Sequence, residues 1–181
     1  MTPALDELEF RAAVADDAPR IAALVVAGFE TYRPFAPPGW NPPPVARETA
    51  SVAKLLGRPG TWCRVAYAGS ELAGHCGFVA MEDCRLPIDA PGTAHFWQLF
   101  ARRDWWGTGL ATNLHAAAIE AAAQRGHAGL RLHTPADHGR GRRFYEREGW
   151  TLFVEFDDDG FGMRIAEYRR LTRGATSAER A

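Results

Sequence analysis

Two glycines, one residue apart, stand near the middle of the chain where an apolar stretch gives way to a helical pattern. Gly107, Thr108 and Gly109 are followed directly by the Ala- and Leu-rich residues 110–125. Glycines at a helix entrance let the backbone approach an anion, and the first N–H groups of a helix lack partners inside it. With the helix dipole, these groups favour a bound phosphate or pyrophosphate. The pattern predicts a phosphate-binding turn; a tight turn without a ligand is the alternative.

Two other phosphate motifs do not fit this turn. No Lys-Ser or Lys-Thr pair follows the glycines, which excludes a P-loop. The dinucleotide fingerprint needs a third Gly or Ala three residues after the second glycine, where this chain has Thr112. That fingerprint also belongs to the first strand–helix unit of a domain, whereas this turn lies past the middle of the chain.

A second motif follows, in which Phe144-Tyr145 is separated by three residues from Gly149-Trp150. Together with residues 106–111, it resembles the GNAT family of N-acetyltransferases. That family has a Gln/Arg-x-x-Gly-x-Gly/Ala loop after its fourth strand and a Phe-Tyr-x-x-x-Gly-Phe segment downstream. The gap between the two blocks suits one helix and one strand, and the resemblance in organisation covers roughly residues 8–170.

The resemblance implies acetyl-CoA as co-substrate. In the family, the glycine loop binds the pyrophosphate and the exposed backbone of the fourth strand pairs with the pantetheine arm. Carried over residue by residue, the implied cofactor-binding positions are Leu99, Phe100, Ala101, Trp106, Gly107, Thr108, Gly109, Leu110, Ala111 and His138.

Several positions depart from the family pattern. Trp106 replaces the usual Gln or Arg, which removes a cation near the pyrophosphate, and Arg102 or Arg103 are candidates to replace it. His138 stands where the family often has an Asn that touches the cofactor arm, and Gly141 stands where it often has Ala. The arginines at 140, 142 and 143 are candidate phosphate partners, and an exposed arginine face is the alternative.

Tyr145 is the catalytic residue that the resemblance implies. In the family, the matching tyrosine lies near the thioester sulfur and gives a proton to the departing thiolate. Considered without the family, Tyr145 is equally typical of the core face of a short amphipathic helix.

The general base is not identified by any motif. Moving an acetyl group to an amine requires a neutral amine, donors for the oxyanion and a proton for the thiolate. Glu30, His75, Glu82 and His95 are candidates by residue type and location, although single residues of these types are more often structural, and water could relay the proton. Strict alternation along its strand would place His95 opposite Phe96, Gln98 and Phe100. No cluster has metal-ligand spacing, so no metal is expected.

The strand and helix patterns predict a single α/β (α+β) domain. The resemblance implies that this domain has the GNAT fold, with a mixed sheet of about seven strands and about four helices. An N-terminal extension is expected at 1–7, the acetyltransferase domain at 8–171 and a frayed tail at 172–181. The strand patterns occupy residues 8–13, 62–68, 72–81, 95–101, 128–133, 151–156 and 161–171. After a first helix around 21–29, helical patterns occupy residues 45–56, 110–125 and 140–148.

Several local signals mark the ends of these elements. Asp16 or Asp17 is a candidate N-cap for the first helix, and Gly126 is expected to cap the third. Between the first two helices, six prolines are interleaved with Tyr32, Phe35 and Trp40. Such a segment predicts an ordered loop that either forms a wall of a binding site or packs on the sheet. The resemblance implies that this binding site is the acceptor pocket.

Composition restricts the class of protein further. A net charge of −1, with 46% hydrophobic and 24% charged residues, argues against a general nucleic-acid binder. No apolar run approaches the ~20 residues of a membrane span, and the N-terminus lacks the features of a signal peptide, so a cytoplasmic protein is expected. Three cysteines without a CxxC pair predict neither a disulfide framework nor a structural zinc site.

These observations and the resemblance predict an enzyme that moves an acetyl group from acetyl-CoA to a primary amine by direct attack in a ternary complex. The acceptor is either a small-molecule amine or a protein N-terminus, and the family's frequent pairing through sheet edges allows a homodimer. The alternative is a non-catalytic acyl-CoA-binding or sensor module on the same fold. Trp106 and the unidentified base favour that alternative, whereas Tyr145 argues against it.

Overall fold

The computed structural model describes residues 4–172, which form seven strands and four α-helices. The predicted strand ends lie within two residues of those observed. The strands are β1 (Glu9–Ala12), β2 (Trp62–Ala68), β3 (Glu71–Ala80), β4 (Thr93–Ala101), β5 (Gly129–Pro135), β6 (Thr151–Asp158) and β7 (Met163–Leu171). The helices are α1 (Ala18–Glu30), α2 (Val45–Leu56), α3 (Leu110–Gln124) and α4 (Gly139–Arg147).

The strands form one mixed sheet in the order β1-β2-β3-β4-β5-β7-β6. All neighbours are antiparallel except β4 and β5, which run parallel. That parallel pair has only three residue pairs, from Thr93 opposite Gly129 to His95 opposite Arg131. Beyond His95 the two strands diverge, so the edge of β4 that faces β5 carries no strand partner. A cleft therefore opens in the middle of the sheet.

A β-bulge interrupts the alternation of β4. Gly77 pairs with Gln98 and Phe78 pairs with Phe96, so β4 carries one extra residue between these pairs. Phe96 packs in the cluster that includes α3, whereas Phe100 packs in the cluster that includes α1. The prediction of strict alternation, with Phe96, Gln98 and Phe100 on one face, is therefore wrong. The extra residue of a bulge shifts every later side chain to the other face.

Two apolar clusters cover the two faces of the sheet. One contains α3, with Phe78, Phe96, Leu132 and Trp150. The other contains α1 and α2, with residues such as Val65. The spacing of apolar residues in α3 predicts a packed face at Leu110, Leu114, Ala117, Ala118 and Ala121, and its burial is confirmed at Leu110, Leu114 and Ala118. His115 and Ala122 are also buried there, whereas Ala117 and Ala121 are only half-buried.

The predicted end of α3 is confirmed, whereas the predicted N-cap of α1 is confirmed only in its position. Gly126 has φ +83, and the following N–H of His127 bonds the carbonyl of Ala122 at 3.0 Å, which is the arrangement of a Schellman motif. Asp17 stands at the predicted N-cap position of α1, but its side chain makes no capping hydrogen bond to the helix. Its carboxylate instead accepts hydrogen bonds from Arg11, from the Tyr67 hydroxyl and from the backbone N–H of Val14.

The two ends of the described chain pack onto the domain. Leu5 and Leu8 contact the cluster that contains α3, although residues 1–7 were predicted to be an extension. Thr172 donates hydrogen bonds to the carbonyls of Ala128 and His127 at 3.0 and 2.5 Å. The remainder of the predicted tail, 173–181, lies outside the described residues, as do residues 1–3. Within residues 4–172, no helix has the length and hydropathy needed to cross a membrane.

Candidate active site

One cavity of about 1140 Å³ follows the cleft between β4 and β5 and opens onto both faces of the sheet. The glycine turn, the end of β4 and α4 line one part of it. The loop after α1, one face of α2 and the segment after β3 line the other part. Its volume exceeds that of a typical small-ligand pocket, so it has room for two substrates side by side.

The glycine turn presents free backbone donors at the entrance to α3. Gly107 and Gly109 have φ +80 and +90, values that L side chains rarely adopt. Among the described residues, nothing accepts the backbone N–H groups of Gly107, Thr108, Gly109, Ala111 and Thr112. The N–H of Leu110 makes only a long contact of 3.4 Å with Thr108 Oγ1. A concave set of unpartnered N–H groups at a helix N-terminus fits a phosphate or pyrophosphate.

The side chains of this turn divide between the core and the cavity. Gly107, Gly109 and Ala111 line the cavity, and a Cβ added at Gly107 would have nothing within 4 Å. Leu110 is fully buried in the core and Thr108 donates its hydroxyl to Trp105 O at 2.8 Å. Of the predicted cofactor positions in this turn, Thr108 and Leu110 can therefore contribute through their backbone alone.

Trp106 contacts both the end of β4 and α4. Its indole Nε1 donates to the carbonyl of Ala101 at 2.9 Å, and the guanidinium of Arg140 lies 3.3 Å from its ring centroid. Arg103 lies 5.8 Å from the same centroid. Arg102, the other candidate to replace the missing cation, bonds Asp104 instead. The structure thus places the cation of Arg140, from α4, beside the residue that precedes the glycine turn.

The other two candidate phosphate partners of α4, Arg142 and Arg143, have different surroundings. Arg143 lines the cavity, as Arg140 does. Arg142 donates to Glu155, to the Tyr168 hydroxyl and to the carbonyl of Ala136, each within 2.9 Å. Arg142 is therefore a structural residue that ties α4 to β6 and β7.

Tyr145 lines the cavity and also contacts the core. It is half-buried among aromatic rings, with the Trp150 ring centroid at 6.0 Å and that of Phe144 at 5.4 Å. None of the described residues hydrogen-bonds its hydroxyl. Burial, with a smaller contribution from the Cys76 thiol, raises the pKa of Tyr145 above its usual value. The hydroxyl therefore stays protonated at neutral pH and can donate a proton into the cavity.

Gly149 and Trp150 fix the end of α4 against α3. Gly149 has φ +85 and ends the helix. Trp150 is buried, and its Nε1 donates to His115 Nε2 at 2.8 Å. This buried bond holds the helix that carries Tyr145 at a defined place on the core.

His138 lies at the N-terminus of α4 and lines the cavity beside aromatic rings. Its ring centroid is 4.9 Å from that of Tyr32 and 5.6 Å from that of Phe35. A Cβ added at Gly141 would stand 2.4 Å from His138 Nδ1. The two departures from the family pattern at 138 and 141 are therefore coupled, because the imidazole occupies the space that an alanine methyl would need. Burial lowers the pKa of His138 to about 4, so its ring is neutral.

The Pro-rich loop between α1 and α2 packs against neighbouring residues and also lines the cavity. Tyr32 is buried, with its ring 5.5 Å from that of Phe29. Trp40 Nε1 donates to the carbonyl of Phe161, in the turn between β6 and β7, at 2.8 Å. Phe29, Tyr32, Trp40 and Phe161 all line the cavity. The loop is therefore ordered and lines the cavity with aromatic rings, and its assignment to an acceptor pocket stays a prediction.

The four candidate bases lie in different surroundings. Glu30 is exposed on the surface, where it pairs with Arg33, and does not line the cavity. His75 is fully buried behind Gln98, and burial lowers its pKa to about 4. Glu82 and His95 do line the cavity. Burial, with smaller contributions from His133 and Arg131, lowers the pKa of His95 well below its usual value.

Two further titratable residues at the cavity were not singled out from the sequence. Glu48 of α2 accepts a hydrogen bond from Gln98 Nε2 at 2.9 Å, and burial raises its pKa. His133 of β5 lies against Glu167 of β7, with 3.2 Å between Nε2 and Oε2. For His133 the sequence offers one signal, because Arg131 and His133 alternate with Leu130 and Leu132 along β5 and so suggest a half-polar face. Glu48 had none, since a single acid on an amphipathic helix is ordinary. Within residues 4–172, no three His, Cys, Asp or Glu side chains form a group that could hold a metal ion.

Comparison with known proteins establishes the family to which this chain belongs. The model of the acetyltransferase (GNAT) family matches residues 25–150, more than half of the chain. The chain therefore belongs to the GNAT family. No curated protein sequence shows significant similarity to it.

Solved structures share the fold over nearly their whole length. A GNAT-family protein from Desulfovibrio desulfuricans has a TM-score of 0.70 and 19% identity, covering 92% of this chain and 99% of that one. A mutant of the spermidine N-acetyltransferase SpeG from Vibrio cholerae has a TM-score of 0.65 and 16% identity, covering 92% and 95%. The PaiA N-acetyltransferase from Thermoplasma acidophilum, in complex with coenzyme A, has a TM-score of 0.64 and 16% identity, covering 88% and 97%. At these identities the similarity establishes a common fold.

Proposed function

We propose that this protein is an acetyl-CoA-dependent N-acetyltransferase that moves an acetyl group to a primary amine by direct attack in a ternary complex. One observation carries the proposal. One part of a single cavity is lined by the glycine turn with its unpartnered N–H groups, by the cleft where β4 and β5 diverge beyond His95, and by Tyr145. The other part of the same cavity is lined by aromatic side chains. Two substrates that meet in one cavity need no covalent enzyme intermediate.

The cofactor would bind along the first part of this cavity. Its pyrophosphate would accept hydrogen bonds from the backbone of residues 107–111, with the guanidinium of Arg140 nearby as counter-charge. Its pantetheine arm would follow the unpaired edge of β4 at Leu99, Phe100 and Ala101, and His138 would contact that arm. Membership of the family and the neighbour solved with coenzyme A support this assignment.

Tyr145 would serve as the proton donor. The neutral amine nitrogen attacks the thioester carbonyl carbon and loses one proton to a base or to water, while the C–S bond breaks and the thiolate takes the proton of the Tyr145 hydroxyl. The proton released from the amine then returns through solvent to the Tyr145 phenolate. A hydroxyl whose pKa is raised by burial is fully protonated when that step begins.

The acceptor would occupy the aromatic part of the cavity. Phe29, Tyr32, Trp40 and Phe161 provide a wall for the apolar portion of an amine-bearing substrate. A small-molecule amine and a protein N-terminus are both included in the proposal. A neighbour named as a spermidine N-acetyltransferase supports the small-molecule choice.

The first experiment combines calorimetric titration with a thiol-release assay. The purified protein is titrated with acetyl-CoA and with CoA, and free thiol is then followed over a panel of amines and N-terminal peptides. Binding with amine-dependent thiol release is expected. Binding without release from any amine would favour the non-catalytic acyl-CoA-binding module, and no binding would remove the glycine turn as a cofactor site.

Replacing Tyr145 by Phe tests the proton donor. Tyr145→Phe keeps the ring and its aromatic contacts and removes only the hydroxyl. We expect kcat to fall by roughly a hundredfold, the lower range for general acid–base catalysis, while the Kd for acetyl-CoA changes little. An unchanged kcat at saturating substrates would remove Tyr145 from the mechanism.

A further inference from the structure

A histidine and a carboxylate form a bonded pair at the wall of the cavity, outside the sequence motifs. His133 lies on β5 and Glu167 lies opposite it on β7, with 3.2 Å between Nε2 and Oε2. The Glu167 side chain is only 7% exposed, and it also accepts a hydrogen bond from Arg169 Nε at 2.8 Å. A guanidinium nitrogen of the buried Arg131 stands 3.8 Å from the same carboxylate. The Glu167 carboxylate is therefore a hydrogen-bond acceptor that is held in a fixed position.

The bond to Glu167 determines where the His133 proton resides. A carboxylate flanked by two arginines can only accept, so the neutral imidazole must carry its proton on Nε2. Nδ1 then has a free lone pair. No described residue bonds Nδ1, and His133 lines the cavity.

The neighbouring His95 has the opposite arrangement. Its Nδ1 lies 3.3 Å from Nε of Arg131, which is always a donor, so this nitrogen must accept. The neutral ring of His95 therefore carries its own proton on Nε2. Of this pair of rings, whose centroids are 5.2 Å apart, His133 offers a lone pair and His95 offers an N–H group.

Several titratable and charged groups face His133. They are His95 of β4, Arg131 of β5, Glu167 and Arg169 of β7 and Arg85 from the segment after β3, while β6 contributes the apolar Phe156. Burial lowers the pKa of His133, and the charges of Arg131 and Arg85 lower it further, whereas Glu167 opposes them. The ring is therefore unprotonated at neutral pH, as a base must be.

The other candidate bases lack the combination of a fixed orientation, a free lone pair and a position at the cavity wall. His75 lies behind Gln98, and Glu30 lies outside the cavity. Glu82 lines the cavity but is exposed, and none of the described side chains orients its carboxylate. Glu48 is bonded on one side by Gln98, and burial raises its pKa, so it is the second-best candidate and enters the test.

We propose that His133 is the general base of the acetyl transfer and that Glu167 is its positioning residue. This inference rests on the proposed function. As the amine nitrogen forms its bond to the acetyl carbon, His133 Nδ1 takes one proton from that nitrogen, directly or through one water. The C–S bond breaks and the thiolate takes the Tyr145 proton. The products are the N-acetyl amine and CoA thiol, and His133 then returns its proton through solvent to the Tyr145 phenolate.

The principal test replaces His133 by Asn, with His127→Asn as the matched control. His127 is a half-buried histidine at the end of α3 that does not line the cavity. In His133→Asn, kcat/KM for the amine should fall by roughly a hundredfold or more, with unchanged acetyl-CoA affinity by calorimetry. The control should keep the wild-type rate. In the wild type, activity should fall as pH falls through the pKa of His133, and this acidic limb should be missing from the variant.

Three further measurements on different proteins make the test independent of the folding of any single variant. In His133→Ala, added imidazole should restore part of the lost rate. Nitrogen NMR of the wild-type histidines should find His133 protonated on Nε2. Glu167→Gln removes the charge that opposes the lowering of the pKa, so its acidic limb should move to lower pH.

The outcomes separate this inference from the proposed function. A wild type that transfers acetyl to no amine removes both. An active wild type, with His133→Asn retaining its rate and its acidic limb, overturns the base assignment alone. If Glu48→Gln instead abolishes the acidic limb, Glu48 is the base and His133 is not.

Discussion

The side chain of Trp106 illustrates how a single position depends on its neighbours. The family motif usually has Gln or Arg where this chain has Trp106, yet a guanidinium still lies there, since Arg140 of α4 stacks on the indole at 3.3 Å. A cation over an indole face is stabilised by the ring quadrupole. The indole N–H is meanwhile bonded to Ala101 O, which fixes the ring plane on which Arg140 lies.

We expect Trp106 and Arg140 to act as a unit in cofactor binding. Arg140→Ala should raise the Kd for acetyl-CoA by roughly tenfold, because a charge-assisted contact to phosphate is lost, which corresponds to about 1.4 kcal/mol. Trp106→Ala should weaken binding less, and the double variant should resemble Arg140→Ala. Calorimetry of the four proteins gives the coupling energy.

Arg164→Ala is the control for this cycle. Arg164 lies outside the cavity, where it pairs with Glu155, so its removal should leave the Kd unchanged. Strictly additive losses in the Trp106 and Arg140 variants would show that the stacking has no part in cofactor binding.

The ends of α2 and α3 show that the same residue type has different roles in different elements. Both helices are followed by glycine, and the sequence pattern treats Gly57 and Gly126 alike as stop signals. Gly57 has φ −78, an ordinary right-handed value, whereas Gly126 has φ +83. Only the end of α3 therefore requires a glycine.

Alanine at the two positions should have opposite effects. Gly126→Ala should lower the free energy of unfolding by about 1–2 kcal/mol, since a left-handed conformation becomes strained with a Cβ. Gly57→Ala should be neutral or stabilising by up to about 1 kcal/mol, because the unfolded chain loses freedom and no left-handed backbone is involved. Urea denaturation of both variants measures the difference, and equal losses would contradict the assignment of the Schellman motif.

Asp17 connects strands β1 and β2, at the edge of the sheet, to the start of α1. It is 2% exposed and bonds Arg11 of β1 and the Tyr67 hydroxyl of β2 at 2.7 Å each. Burial alone would raise its pKa, but the hydrogen bonds from Arg11, Val14 and Tyr67 outweigh that effect and lower it from 3.8 to about 2. A lowered folded-state pKa contributes stability above the unfolded value, and this stability is lost as pH falls toward the folded value.

Asp17→Asn should therefore destabilise the domain in a pH-dependent way. The loss at pH 7 should include about 2 kcal/mol from the missing charge, and this part should shrink as pH falls from about 4 toward about 2. Urea denaturation at several pH values measures it, with the exposed Asp16→Asn as the control. A deficit that stays constant over this range would show that the Asp17 carboxylate is not held by these bonds.

Much of the architecture could be predicted from the sequence because it depends on local patterns. The helix at 45–56, the glycine turn and the Schellman cap of α3 each follow from residue spacing or backbone preference. The packed face of α3 was predicted at Leu110, Leu114 and Ala118. His115 was missed because its burial depends on the indole of Trp150, 35 residues away. Asp17 stands at the predicted N-cap position, but its carboxylate bonds Arg11 and Tyr67 instead of the helix.

The family, the element order and the residues of the two motifs could be predicted from the sequence, since they depend on spacing along the chain and on short-range backbone geometry. Which side chains meet at the cavity depends instead on how the strands and helices pack. The bulge in β4 placed Phe100 on the opposite face from Phe96, and the pairing of β5 with β7 brought His133 to Glu167. α4 likewise set Arg140 on Trp106. Such contacts join residues distant in sequence, and their geometry follows from strand register and packing, which no local pattern encodes.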